Sequence, residues 1–281
     1  MFGLLLGGTG VGWVIARWRP VPLAALWRGQ LVMLGGFLAF ASGWLFDWNV
    51  HVLAAVAVLL IGDLLAVALA TRKLDPVLVS GSQPNDGFWS VPIAAALFGT
   101  SATVFVVLYS MLAAPRAIAV TRSLRRAATV RPSSRSALAD YFPQAALLVG
   151  FVFGALLPHP PALLHQAVPV VGEFSGLVGF TLLGLSLSSR WPDADAWRRA
   201  AALLPVRFGV TSALCVAAAV AGLGLPASVW VLALAPAPFG MVALSRVYHL
   251  RDDVATAAVL LTLVVATALL ALVPVLGRLG H

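Results

Sequence analysis

Long apolar stretches punctuated by arginine run from one end of this chain to the other. Several approach the ~20 residues a helix needs to cross a hydrocarbon core of about 30 Å. In that solvent each backbone N–H and C=O must be satisfied within the chain, so a spanning segment is a helix or part of a closed barrel. Composition agrees: 61% of the 281 residues are hydrophobic and 10% are charged, with a mean hydropathy of +0.98, where a soluble domain carries ~25% charged residues. An ordinary water-soluble domain is excluded. An all-α polytopic membrane protein is expected.

A formal charge of +8 would suggest a nucleic-acid partner if the basic residues shared one folded surface, but they fall in short clusters between apolar segments. That is the distribution of topology determinants, and no nucleic-acid partner is expected. The single cysteine, Cys215, rules out an intramolecular disulfide. No Cys/His spacing suits a metal, and no cofactor motif is present. Met1 to Ala16 has no basic residue before its apolar run and Arg17, Arg19 and Arg28 after it. This is the reverse of a secretory signal, so the segment reads as a retained first helix.

Breaks at charged residues, Pro and Gly divide the chain into ten candidate spans, roughly 2–16, 26–46, 50–70, 76–98, 100–120, 140–157, 166–188, 199–222, 226–246 and 253–276. Sixteen of the eighteen Lys and Arg fall in the odd-numbered loops and none in the even-numbered ones; Arg207 and Arg278 are the remainder. Positive loops stay in the cytoplasm, so a multi-pass protein of the inner (plasma) membrane with both termini outside is expected. The loop from Arg116 to Asp140 carries six Arg. It reads as a solvated linker or as a contact for anionic lipid. It separates a first repeat (1–120) from a second (140–281), with a basic cytoplasmic linker at 121–139. Five is odd, so the halves insert in opposite senses, the arrangement of an inverted repeat.

Two spans carry helix breakers at membrane depth. The fourth contains Ser80-Gly81-Ser82-Gln83-Pro84-Asn85-Asp86-Gly87-Phe88-Trp89-Ser90-Val91-Pro92, and the ninth contains Leu234-Ala235-Pro236-Ala237-Pro238-Phe239-Gly240. Proline removes a backbone donor and obstructs the preceding turn, so freed polar groups must be buried in protein or face a wet cavity. The interruptions occupy the same position, fourth of five, in the two halves. Discontinuous segments at matched positions point to a transporter's binding site, where half-helix N-termini favour an anionic group. The spans are therefore expected to cross near the midplane. Two proline kinks in an ordinary bundle are the alternative.

These residues resemble a family. Asn85-Asp86-Gly87-Phe88-Trp89-Ser90-Val91-Pro92 followed by Ala96-Leu97-Phe98-Gly99 is similar to the N-x-G-F-x-G-x-P … A-L-F-G segment of the auxin efflux carrier (AEC), or PIN-like, transporter family. Phe180-Thr181-Leu182-Leu183-Gly184-Leu185-Ser186-Leu187 resembles that family's seventh helix, and Ala235-Pro236 with Tyr248 resembles its A-P … Y-G segment. The resemblance implies ten helices in inverted five-helix repeats, a scaffold and a transport domain, crossed helices 4 and 9, and carriage of organic anions. It implies a substrate site at Asn85, Gly87 and Pro92 with Pro236 and its neighbours Ala237 and Pro238. Asp86 and Ser90 belong to the same segment. Ser90 stands where the family has glycine, His249 follows Tyr248 in place of glycine, and Asp86 introduces an acid.

Ionisable groups at membrane depth are costly and mark function by default. Asp86 is a candidate for proton coupling or for capping a half-helix. Asp63 and Glu173 read either as buried, protein-paired acids or as parts of a proton path. Arg207, eight residues into the eighth span, is the expected charge partner of one of them, or snorkels to the interface. The Trp residues near span ends, such as Trp18, Trp44, Trp48, Trp191 and Trp197, read as interfacial anchors.

The resulting expectation is a secondary active transporter for a small carboxylate, working by alternating access. A sodium/proton-type antiporter using Asn85-Asp86 is a second reading, and a non-transporting membrane sensor a third. No convergent nucleophile, base or metal-ligand motif is found, so an enzyme is not expected. A homodimer is an expectation by fold analogy.

Overall fold

The computed structural model describes residues 2–18, 26, 29–47, 49–127, 142–157, 159–186 and 191–270. Residues 128–139 of the expected linker and 271–276 of the tenth expected span lie outside these, as do Arg19, Arg28, Arg131, Arg135, Arg190, Arg278 and Trp48. All regular structure among the described residues is helical. Five helices are long and apolar enough to cross a membrane: Val50–Lys73, Pro76–Leu112, Ala162–Leu185, Ala194–Val220 and Asp252–Leu269. Shorter apolar helices cover Val32–Leu45 and Phe142–Leu156.

In chain order the helices are α1 (Phe2–Trp18), α2 (Gly36–Leu45), α3 (Val50–Lys73), α4 (Pro76–Val79), α5 (Val91–Leu112), α6 (Ala114–Ala127), α7 (Phe142–Leu156), α8 (Ala162–Ser186), α9 (Ala194–Ala201), α10 (Thr211–Val220), α11 (Ser228–Ala233), α12 (Gly240–Val247) and α13 (Asp252–Leu269). α3 shows how local chemistry sets the ends. Asn49 is extended and its side chain accepts the His51 N–H at 2.8 Å, while Arg72 and Lys73 occupy the last turn, where they complement the helix dipole.

Gly99, with φ of 76°, breaks α5 internally. This is the boundary expected between the fourth and fifth spans, at a conformation that favours glycine. The fifth expected span, 100–120, is itself interrupted: α5 ends at Leu112 and a separate helix starts at Ala114. Pro115 explains the interruption. It has no N–H to continue the earlier helix and suits the first turn of the next.

Chain contacts divide the protein into two compact units. The first is Met1–Trp48, Asp86–Leu112 and Ser133–Ser188; the second is Asn49–Asn85, Ala113–Pro132 and Ser189–His281. Each draws on both sequence halves. In the first unit α1 packs on α8 and α2 on α7. Small residues permit both approaches. A Cβ on Gly12 would meet Thr181 O, and one on Gly184 would meet Thr9 O. A Cβ on Gly43 would meet Leu147 O, and one on Gly150 would meet Phe40 O. Lipid tails are as apolar as leucine, so close backbone packing rather than water exclusion drives such pairs. Edge-on contacts among Phe40, Trp44 and Phe153, with centroids 5.3–5.7 Å apart, fill the α2–α7 seam.

In the second unit α3 packs on α10, where Gly62 admits Thr211, and α13 packs on α9 and α12. Val67, Ala70, Val79, Val120, Leu124 and Tyr248 form a buried cluster that seats α6 against α3. A charged network lies at the ends of these helices. Arg199 reaches Asp75 at 3.3 Å and Asp195 at 2.8 Å, and Arg251 reaches Asp195 at 2.8 Å and Asp253 at 2.6 Å. Asp253 and then Asp195 raise the Arg251 pKa further above its ordinary value.

Candidate functional site: two broken segments in the second unit

The first break starts at Asp75, whose carboxylate accepts the Val77 N–H at 3.2 Å and whose successor, Pro76, suits a first helical turn. Only four residues of α-helix follow, then a 3₁₀ turn over Ser80–Ser82. Ser80 and Ser82 fold their hydroxyls back onto Val77 O and Val79 O at 2.9 and 2.8 Å, satisfying polar side chains in a fully buried segment. Gln83 is extended, as the residue before a proline tends to be. Gly81 sits close under its neighbours, where a Cβ would lie 2.6 Å from Leu203 and 2.9 Å from Met241.

The second break follows α11. Pro236 and Pro238 have no N–H, so they cannot continue the helix, and the groups left over need other partners. The Leu232 carbonyl, which the amide of a non-proline residue 236 would serve, accepts Arg207 Nη2 at 2.7 Å and the Ala235 N–H at 3.2 Å. The Ala237 N–H donates to Thr262 Oγ1 at 3.0 Å, and that hydroxyl donates to Ala258 O at 2.7 Å. The Pro236 carbonyl accepts the Asn85 N–H at 2.8 Å. Helix resumes at Gly240 once Met241 N–H has closed onto Pro238 O at 2.9 Å. The two broken segments therefore meet, backbone to backbone, at Asn85 and Pro236, with Asn85 2% exposed and Ala235 and Ala237 fully buried.

The same unit holds three buried charges, of which Arg207 touches this break. Asp63 is 1% exposed; its Oδ2 pairs with Arg116 Nη1 at 2.8 Å and its Oδ1 accepts the Thr211 hydroxyl at 2.9 Å. Asp63 is thus a protein-paired acid, and its counter-ion at 2.8 Å is Arg116, which sequence alone places in a loop. Arg207, expected as a charge partner, is fully buried and holds the Leu232 carbonyl. It does not snorkel. Among the described residues the buried charged side chains are Asp63, Arg116 and Arg207.

Of the eight expected substrate residues, Asn85, Pro236, Ala237 and Pro238 come together in the second unit. Asp86, Gly87, Ser90 and Pro92 belong to the first unit. There Asp86 accepts the Gly87 N–H at 3.0 Å and opens a wide helical turn through Ser90. Pro92 and Phe88 lie against Gly176 and Gly179 of α8, and Ser90 is fully buried. Glu173, on α8, is exposed rather than buried. The first unit also holds a cleft of about 600 Å³ lined by Leu26, Gln30, Met33, Phe174, Leu177 and Leu185 among others, too apolar to suit an anion.

Thr262 and Arg116 are the buried polar partners that sequence alone does not reveal. Thr262 is one of three threonines in an apolar run, and Arg116 is one of six arginines in a basic loop. No group of three metal-ligating side chains occurs among the described residues. Fold and site together define a helical membrane protein with a discontinuous, proline-broken centre. No known protein-family model matches the chain, and no curated protein sequence matches it.

Proposed function

We propose that the protein is a secondary active transporter of the auxin efflux carrier type that moves a small organic anion across the inner membrane, with both termini outside. The observation that carries this reading is the Asn85 N–H to Pro236 O hydrogen bond at 2.8 Å, which joins two interrupted segments from opposite halves of the chain. Discontinuous helices meeting in this way leave polar backbone available to a solute where continuous helices would present side chains only.

The packing of the first unit also supports it. If the first expected span corresponds to the sixth and the second to the seventh, the pairing of α1 with α8 has the pairing of α7 with α2 as its image, and both seams are glycine-lined. Energy comes from a gradient, since the chain carries no nucleotide-binding motif. Asp86 carries the coupling proton in this scheme, and one helical bundle moves against the other to alternate access.

Counterflow in proteoliposomes with a panel of mono- and dicarboxylates at two pH values tests the reading. Wild type exchanges at least one carboxylate, and Asp86→Asn flattens the pH dependence. Sodium/proton exchange indifferent to carboxylates would replace the anion carrier with a cation antiporter. No flux of either kind in sealed vesicles would leave a sensor. Unchanged pH dependence in Asp86→Asn would remove Asp86 from coupling.

A further inference from the structure

The described basic residues of the second unit divide into those held by protein acceptors, Arg207 on the Leu232 carbonyl among them, and six exposed ones in no ion pair, of which Arg198 stands apart on α9. Arg116, Arg199, Arg246 and Arg251 each hold a carboxylate. Arg72, Lys73, Arg122, Arg125 and Arg126 are exposed, and among the described residues none of the five takes part in an ion pair. These five lie on two helices packed together: the last turn of α3, and α6, joined through Val67, Ala70, Val120 and Leu124.

The pattern on α6 is regular. Arg116, Val120 and Leu124, spaced by four, turn inward and are 5%, 3% and 2% exposed. Arg122, Arg125 and Arg126 project from the other side, with Ile118 49% exposed beside them. The helix contains no acid. It is also anchored, because the Arg116–Asp63 ion pair fixes its start to the middle of α3 inside the protein. The cations are therefore held on an ordered surface rather than strung along a free linker. Arg72 and Lys73 end the 24-residue apolar helix α3, which sets the level of the surface at the margin of the hydrocarbon.

We infer that this face of α3 and α6 is a docking surface for anionic phospholipid headgroups of the leaflet that meets the C-terminal end of α3. Among the described residues no carboxylate pairs with these cations, they sit at headgroup depth, and Ile118 provides an apolar contact beside them. Clusters of Lys and Arg next to a membrane helix bind acidic lipid through this combination. The surface is independent of the solute carried.

Full-length protein purified in a neutral detergent and titrated with phosphatidylglycerol or phosphatidylcholine, with bound lipid counted by native mass spectrometry, provides the test. Wild type is expected to prefer phosphatidylglycerol by about tenfold or more, with the preference shrinking as salt rises from about 50 to about 300 mM. The triple change Arg122→Gln, Arg125→Gln, Arg126→Gln removes most of the preference and leaves phosphatidylcholine uptake unchanged. The pair Arg72→Gln, Lys73→Gln removes a smaller part, and the triple Arg-to-Lys change retains it. Equal uptake of both lipids by wild type overturns the inference, as does a Gln triple that melts like wild type and keeps its preference. Displacement of the lipid by millimolar inorganic phosphate, or tighter binding of duplex nucleic acid at the same salt, also overturns it by assigning the surface to another ligand. If the Gln triple does not fold, the wild-type salt series decides: a preference insensitive to salt rules the surface out.

Discussion

Replacing Arg116 with methionine removes a guanidinium but leaves a carboxylate, 1% exposed, with the Thr211 hydroxyl as a neutral donor at 2.9 Å. Breaking one side of a buried pair costs about 3–5 kcal/mol, chiefly because the remaining charge stays in low dielectric. In a chain of this length that is a fall in melting temperature on the order of 10 °C. Asp63→Leu leaves the converse problem, a buried guanidinium without its carboxylate at 2.8 Å, and is expected to cost a similar amount. The double variant Asp63→Leu, Arg116→Met removes both charges at once, so most of the loss returns; apolar replacement of a buried pair is often neutral. Tryptophan-fluorescence melting in a single detergent measures all four proteins on one scale. Two results would refute the reasoning: single variants that melt within about 2 °C of wild type, or a double variant whose loss equals the two single losses added together.

Thr262→Val leaves the Ala237 N–H without its acceptor at 3.0 Å and is expected to destabilise by about 1–3 kcal/mol, while Thr262→Ser stays close to wild type; thermal melting separates the two. Gly150→Ala places a methyl against Phe40 O in the α2–α7 seam and is expected to cost at least about 2 kcal/mol, because backbone on both sides cannot yield. Gly87→Ala, with nothing within 4 Å of its Cβ position, is expected to melt like wild type. A Gly87→Ala protein that is folded but inactive in counterflow would place Gly87 at the solute, and a folded, active one would remove it.

Several features of the fold were legible because they follow from one-dimensional chemistry. Gly99 is a glycine at the boundary between two apolar runs, and the chain turns there with φ of 76°. Pro236 and Pro238 lack amide hydrogens wherever they stand, so residues 234–239 had to leave the helix. Asn49 and Asp75 cap the helices that follow them through their own side chains. Pro115 carries the same kind of signal, and it explains why the fifth span stops at Leu112 where the apolar run alone suggests continuation.

The partners of the freed groups were not legible, because they lie far away along the chain. Arg207 and Leu232, Thr262 and Ala237, and Asp63 and Arg116 are joined by hydrogen bonds at 2.7–3.0 Å across 25, 25 and 53 residues. An arginine in a basic loop and one eight residues into an apolar run offer no local sign that one holds a carboxylate and the other a carbonyl. Glu173 shows the opposite limit: an acid in an apolar run suggests burial, yet its place on the exposed side of α8 depends on which face Gly172 and Gly176 turn toward α5 and Gly179 toward Phe88.

Amino-acid order by itself determined that this chain is helical, that it belongs in a bilayer and where its helices fail, since hydropathy, missing amide hydrogens and capping side chains act over a few residues. Tertiary structure alone decided what meets at those failures, because a buried N–H, carbonyl or charge accepts whichever partner the folded chain brings within about 3 Å, irrespective of its distance along the sequence.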